Sequence, residues 1–165
     1  MTRIHTTLNE IRQLDRVYEM TIPKSFLDEN QHVNVQYYMH LVERGLGEVF
    51  RRVGLGEPYA AADELGNFAL EQHIRYLAEI LVDERVSVYI RLVELSPKRA
   101  YFMSFLVNHS RAELAATVEV VMMNVDIARR RGAPFPPAAK EQLDALLAKH
   151  QKLPWPAPVC GVMRA

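Results

Sequence analysis

Apolar side chains at positions 35, 38, 39, 42, 46, 49, 50 and 53 recur at the three- and four-residue spacing of one helix face, over about five turns. Asn34 stands just before this stripe, where its side-chain oxygen can accept from a free backbone N–H, and Gly54 and Gly56 follow it. A helix starting at Val35 is therefore predicted. Upstream, residues 15–23 read as a strand, since Val17, Tyr18, Met20, Thr21 and Ile22 favour extended backbone and Pro23 stops the run. A mostly polar segment, 24–31, connects the two.

Downstream of the helix the period changes to two. Residues 68–76 read as a second strand, after a stretch at 59–66 that fits either a short helix or a loop. Segments 85–95, 100–108 and 114–126 are rich in Val, Ile, Tyr and Phe and are separated by Ser96-Pro97-Lys98-Arg99 and His109-Ser110-Arg111, both of hairpin length. They predict a β-meander. Val86, Val88, Ile90 and Leu92 alternate with Ser87, Tyr89 and Arg91, the pattern of a sheet covered on one side. Residues 100–108 are apolar on both faces, which places that strand centrally or against a partner. Gly132-Ala133-Pro134-Phe135-Pro136-Pro137 breaks the sheet, Ala139, Leu143, Leu146 and Leu147 mark a short amphipathic helix, and the proline-rich tail 154–158 is expected to be extended. The order of elements predicts an α+β fold, an antiparallel sheet of about five strands wrapped around one long helix.

Composition adds limits. A chain of 165 residues predicts a single domain, residues 1–165, with a core at about 15–137 and the C-terminal helix and tail at 138–165. Apolar residues make up 49% and charged residues 24%, with 20 basic and 20 acidic side chains, so disorder and a polyelectrolyte tail are excluded. The zero net charge argues against nucleic acid, which calls for a basic stripe. The one dense basic cluster, Arg129-Arg130-Arg131, reads most simply as a solvated surface run, although three arginines also suit a few phosphates of a small ligand. The longest stretch free of Asp, Glu, Lys and Arg falls short of the about 18 apolar residues a membrane helix needs, so no membrane partner is expected. Residues 1–7 lack the apolar segment of a secretory signal, and Cys160, the single cysteine, has no internal partner; both fit a cytoplasmic protein.

Most chemical motifs are missing. Gly45-Leu46-Gly47 and Gly54-Leu55-Gly56 neither follow a strand nor open a helix, so neither is a dinucleotide fingerprint. No P-loop or Gly-x-Ser-x-Gly elbow occurs, and Cys160 lies in the proline-rich tail with no histidine nearby in sequence. Asp28 with His32, and Glu71 with His73, have spacings a metal could use but form no recognised ligand set, so no metal is expected.

Chemistry concentrates instead at residues 26–38, Phe-Leu-Asp-Glu-Asn-Gln-His-Val-Asn-Val-Gln-Tyr-Tyr, where carboxylate, amide and imidazole groups meet at the start of the long helix. A buried helix N-terminus offers free N–H donors and about half a positive charge, enough to hold a carbonyl oxygen that becomes negative. A carboxylate beside that carbonyl can attack it or deprotonate a water. Asp28, Asn30 and Asn34 are also common turn and capping residues, so the residues alone leave a purely structural turn open.

Here the sequence resembles the hotdog-fold acyl-CoA thioesterases of the 4-hydroxybenzoyl-CoA thioesterase type, whose motif runs approximately Asp-x-x-Gly-His-Val-Asn-Asn-x-x-Tyr, with a glutamate farther along. Asp28, His32, Val33, Asn34, Tyr38 and Glu43 fall in register with it; Gln31 replaces the glycine and Val35 the second asparagine. The resemblance covers roughly residues 17–137 and implies a hotdog fold. A looser similarity runs through residues 32–38, 72–76 and 124–136 to the thioesterase module of bacterial carnitine breakdown, which acts on betainyl-CoA. Glutamine dislikes the positive φ that glycine permits, so the turn at Gln31 is open to a different bend.

The resemblance implies roles. Asp28 aligns with the catalytic aspartate, as nucleophile or as base, and the Val35 amide would polarise the thioester carbonyl. Asn34 would position water or cap the helix, and His32 would orient the loop. Glu43, about 80° round the helix from Val35, is the rival carboxylate. Tyr38 would line the acyl pocket with Tyr37 and Tyr59. Glu71 and His73, otherwise an ordinary solvated row with Arg75, would approach the site of a neighbouring subunit, and Arg129 and Arg130 would meet coenzyme A phosphates. The implied protein is an acyl-CoA thioesterase, a homodimer or homotetramer with no cofactor beyond the coenzyme A of its substrate. A non-catalytic acyl-CoA or fatty-ligand binder on the same fold, or a hotdog dehydratase, are the other readings.

Overall fold

The computed structural model describes residues 6–56 and 65–165. Along the chain come α1 (Leu8–Ile11), β1 (Arg16–Thr21), a single 3-10 turn (Lys24–Phe26), α2 (Val35–Arg52), β2 (Leu65–Tyr76), β3 (Arg85–Leu95), β4 (Arg99–Asn108), β5 (Glu113–Asp126), β6 (Arg131–Gly132) and α3 (Pro137–Gln151). The strands form one antiparallel sheet in the order β1-β3-β4-β5-β2, with β6 pairing only with β5. This is the expected hotdog arrangement, a curled sheet around one long helix. No helix among the described residues is long and apolar enough to cross a membrane.

The helix starts where its cap predicts. Asn34 has extended backbone, and its side chain accepts from the Gln36 N–H at 3.2 Å. Gly54, at φ +81°, follows the Val53 cap and ends the helix in the left-handed conformation. Between these ends Tyr38, Leu41, Val42, Leu46, Val49 and Phe50 are buried against the concave face of the sheet, with the Phe50 ring edge-on to Phe102 at 5.7 Å. Gly45 sits where helix and sheet come closest: a Cβ there would lie 2.8 Å from Val88 Cγ1.

Strand β4 is central, and its two apolar faces are covered by different parts of the same chain. Ala100, Phe102 and Leu106 face α2. Met103, Phe105 and Val107 face the other way and pack with Ile11 and Leu14 near the N-terminus and with Trp155 of the tail. The tail is also held by Arg91, whose guanidinium lies 4.5 Å above the Trp155 ring and donates to the carbonyls of Trp155 at 2.6 Å and His150 at 3.1 Å. Of the two positions read from the sequence, central or against a partner, the strand takes the central one, and its outer face is covered by the chain itself.

The helix or loop expected at 59–66, with Tyr59, falls outside the described residues as far as position 64. Leu65 and Gly66 already belong to β2, which starts earlier than the sequence suggests. Its pairing with β5 slips at Leu70, between Ala69 and Glu71, so the strand carries a bulge that period-two reading does not reveal.

His150 lies where β3 runs past β1. Their register ends at Arg16 opposite Tyr89, which leaves the Leu92 N–H without a strand partner, and His150 Nδ1 accepts from it at 2.9 Å. Burial first, then the charges of Lys149 and Arg91, push the His150 pKa from 6.5 down to about 4. The unfolded chain therefore takes up a proton before the native state does. Stability should be complete above about pH 6.5 and fall as the pH drops towards 4, with His109, also pushed down by burial, adding in the same direction. Replacing His150→Gln should flatten this limb in a pH series of chemical denaturation curves; an unchanged slope would locate the acid sensitivity elsewhere.

Candidate active site

The loop before α2 is folded back on the helix start by backbone contacts. Leu27 and Val33 form an isolated antiparallel bridge, the Asp28 N–H donates to the His32 carbonyl at 2.8 Å, and the Asn34 N–H donates to the Phe26 carbonyl at 2.9 Å. Val33 is fastened to the far side by donating to the Ile80 carbonyl at 2.9 Å. Phe26 stacks on Tyr37 with ring centroids 3.9 Å apart, fixing the loop to the first helical turn.

Within this frame the Asp28 carboxylate is held by one oxygen. Its Oδ1 accepts from the N–H groups of Asn30 at 2.9 Å and His32 at 3.2 Å. Its Oδ2 takes no hydrogen bond among the described residues. The first amides of α2 divide similarly: Gln36 donates to the Asn34 side chain and Tyr37 to the Asn34 carbonyl at 2.9 Å, while the Val35 N–H has no partner among the described residues. One loop thus offers a carboxylate oxygen and a helix N-terminal donor, both uncommitted.

The turn keeps the bend that glycine permits. Gln31 adopts φ 64°, in the left-handed region, so the replacement of the motif's glycine leaves the backbone path in place at the expense of local strain.

Other residues singled out in the sequence are distributed as follows. His32 Nε2 lies 3.0 Å from Glu79 Oε2, and Glu79 is also 3.3 Å from Arg111, so His32 ties the loop to the β2–β3 connection. Tyr38 is buried and donates to the Ala78 carbonyl at 3.3 Å, edge-on to Tyr76 at 5.1 Å; burial raises its pKa. It forms the floor beneath the loop. Glu43 is exposed and about 12 Å along the helix axis from Val35. Arg129 pairs with Asp126 at 3.1 Å in the β5–β6 turn. Because Asp126 pairs with Leu65 and Tyr76 with Ala116, Arg129 and Arg130 stand at the opposite end of the β2–β5 ladder from Tyr76. At about 3.3 Å per residue that is on the order of 35 Å along the strand.

Three expectations need correction. The helix N-terminus is not buried in the single chain: Val35 is 61% exposed. His73 is not a plain solvated residue, because its Nδ1 lies 2.9 Å from Glu119 Oε1 on the sheet face turned away from α2. Cys160, without a histidine nearby in sequence, has one nearby in space, since ligand atoms of His73, Glu119 and Cys160 lie within 4.8 Å of one another. Glu79 and Glu119 were missed by sequence reasoning: Glu79, in the β2–β3 connection, is revealed by its contact with His32, and Glu119 by its pairing with His73 across the β2–β5 ladder.

The sequence profile of the thioesterase-like superfamily matches residues 22–143. This chain belongs to that superfamily. The betainyl-CoA thioesterase of Pseudomonas aeruginosa is 25% identical over 151 residues, covering 92% of this chain and 95% of its own length. An L-carnitine dehydrogenase/betainyl-CoA thioesterase of Agrobacterium fabrum is 29% identical over 136 residues, 82% of this chain; the match spans only 28% of that longer protein. Among solved structures, a Staphylococcus aureus protein in complex with CoA superposes with a TM-score of 0.80 at 23% identity, over 87% of this chain and 90% of its own. A 1,4-dihydroxy-2-naphthoyl-CoA thioesterase from Synechocystis gives 0.71 at 15% identity, over 78% and 95%. These superpositions establish the hotdog fold.

The strain at Gln31 is measurable. Gln31→Gly should leave the protein as stable as before or more stable by up to about 1 kcal/mol, because relief of the left-handed φ slightly exceeds the added freedom of the unfolded chain. Gln31→Val, β-branched, should lose about 1 to 2 kcal/mol in the same denaturation assay. Equal stability of all three proteins would mean that the turn bends differently.

Proposed function

We propose that this chain hydrolyses an acyl-CoA thioester to the free acid and coenzyme A, with Asp28 as the reacting carboxylate and the Val35 amide as donor to the thioester oxygen. The observation that carries this reading is the division of labour within Asp28: Oδ1 is anchored by the Asn30 and His32 amides while Oδ2 is left uncommitted. A carboxylate held in this way keeps its orientation without using its reactive lone pairs. The names of the relatives, betainyl-CoA thioesterase among them, support the substrate class.

Two routes share these groups. In the first, Oδ2 takes a proton from water, the resulting hydroxide attacks the thioester carbon, the C–S bond breaks, and the coenzyme A thiolate leaves with the proton that Asp28 holds. In the second, Oδ2 attacks the carbon directly, the thiolate leaves, and water cleaves the mixed anhydride. In both, negative charge develops on the carbonyl oxygen, where the Val35 N–H and the positive end of α2 act most strongly. Neither route requires a redox cofactor. Asn34 holds the helix cap in place and His32, tied to Glu79, steadies the loop.

A carbonyl held at an open surface competes with water for that amide, so the site needs a cover. We assign the cover to β2 of a second copy. β2 is an edge strand, and it exposes Phe68 (57%) and Leu70 (48%), apolar side chains that a pairing strand would shield. In such a homodimer the polar row of Glu71 and Arg75 lies beside the interface, and Arg129 and Arg130 can meet coenzyme A phosphates only if they come from the neighbouring copy.

Asp28→Asn is a clean test, because the amide oxygen can go on accepting from Asn30 and His32. In an acyl-CoA panel that includes betainyl-CoA and is read by thiol release, kcat should fall by about two to four powers of ten with folding preserved. A wild-type rate in this variant together with loss of activity in Glu43→Gln would transfer the role to Glu43. Saturable acyl-CoA binding with no thiol release from any substrate would favour the non-catalytic binder. Solvent label incorporated into Asp28 in a single turnover identifies the attack route.

Sedimentation should show a dimer that Leu70→Lys weakens, with activity falling in parallel. A concentration-independent monomer with full activity would remove the second copy from the site.

A further inference from the structure

On the outer face of the sheet, three strands and the C-terminal tail converge on one carboxylate. Glu119 on β5 is directly opposite His73 on β2 and only 2% exposed at its side chain. Its Oε1 is 2.9 Å from His73 Nδ1 and accepts from the Cys160 N–H at 3.0 Å, and its Oε2 accepts from the same N–H at 2.8 Å and from the Tyr101 hydroxyl of β4. The Cys160 thiol closes the group, with ligand atoms of His73, Glu119 and Cys160 all within 4.8 Å of one another.

We propose that His73, Glu119 and Cys160 form a binding site for one Zn²⁺ ion per chain, which fastens the C-terminal tail to the edge strand β2. A buried carboxylate is ordinarily paired with a cation or bound to a metal. Here the groups that touch Glu119 are a phenol, a backbone amide, a thiol and an imidazole, with no Lys or Arg among them. The Tyr101 hydroxyl and the Cys160 amide both donate to Glu119, which leaves its oxygens acting as acceptors towards the site.

The donor types select the ion. Thiolate, imidazole and carboxylate together suit Zn²⁺, whereas Mg²⁺ and Ca²⁺ prefer all-oxygen shells. One thiolate and one carboxylate cancel the two positive charges, so the loaded site is neutral and can remain buried. Atoms within 4.8 Å of one another need only small movements to reach the tetrahedral edges set by bonds of about 2.0 to 2.3 Å. His73, with 40% of its side chain exposed, marks the entry path and leaves room for water as fourth ligand. Zinc takes up the thiolate and the neutral imidazole, so any proton those ligand atoms carry leaves on binding. Tyr101 continues to hold the other carboxylate oxygen. The face is turned away from α2, so the site is separate from Asp28 and the inference does not depend on the proposed activity.

The test uses the full chain freed of metal with a chelator. Calorimetric titration with Zn²⁺ should give one ion per chain and, when repeated in buffers of different ionisation enthalpy, show proton release on binding. Co²⁺ in place of Zn²⁺ should show a thiolate-to-metal charge-transfer band. Cys160→Ser, which keeps the backbone donor to Glu119, should abolish that band, and Cys160→Ser and His73→Ala should each weaken Zn²⁺ binding by roughly tenfold or more. Absence of binding with Zn²⁺ in excess, binding of equal affinity in both variants, or a Co²⁺ complex without the thiolate band would each overturn the assignment.

Discussion

A strand that is apolar on both sides has to be covered on both sides, and β4 imposes that condition on the whole molecule. Its inner residues, Phe102 and Leu106 among them, require α2 in the hollow of the sheet. Its outer residues, Met103, Phe105 and Val107, require a second layer, which the chain builds from its own two ends. With α2 seated, the direction of the helix follows, and with it the place where its free amides emerge. The close approach at Gly45, where any side chain would meet Val88, keeps the helix pressed to β3. The chemistry of residues 28–35 thus sits at one rim of the sheet because a strand in the middle needs burying.

At that rim, local backbone contacts do the positioning. The Leu27–Val33 bridge and the Asp28–His32 contact make the loop a miniature hairpin, so the aspartate is carried on a frame and not on a free coil. Gln31 is the strained member of that frame. A left-handed glutamine persists only where the surrounding contacts over-determine it, and bonds on either side of Gln31 do so.

Much of this was legible in the chain and some was not, for physical reasons. The α2 stripe and its Asn34 cap were readable because a period of 3.6 and a capping oxygen are local signals. The ends of β3 were readable because an apolar alternation meets the turn at Pro97. The start of β2 was not, since Leu65, Gly66 and Asn67 carry little β-preference and join the sheet only by pairing with β5. The exposure of Val35 was also hidden: it continues the apolar stripe in sequence but occupies the first turn, beyond the edge of the sheet. Within the candidate site, Asp28 was legible by its motif, whereas the Glu79 contact of His32 was not. The meeting of His73 with Glu119, 46 residues apart, and of Glu119 with Cys160, 41 apart, could not be seen from spacing, because it depends on strand register and on where the tail is laid.

The tail has one more effect. Sheets that stack back to back do so about 10 Å apart, with bare faces interdigitating in the gap. In this chain Trp155 and Met163 already occupy that gap over β4 and β5. The layer into which a second sheet would interdigitate over β4 and β5 is thus filled by side chains of the same chain.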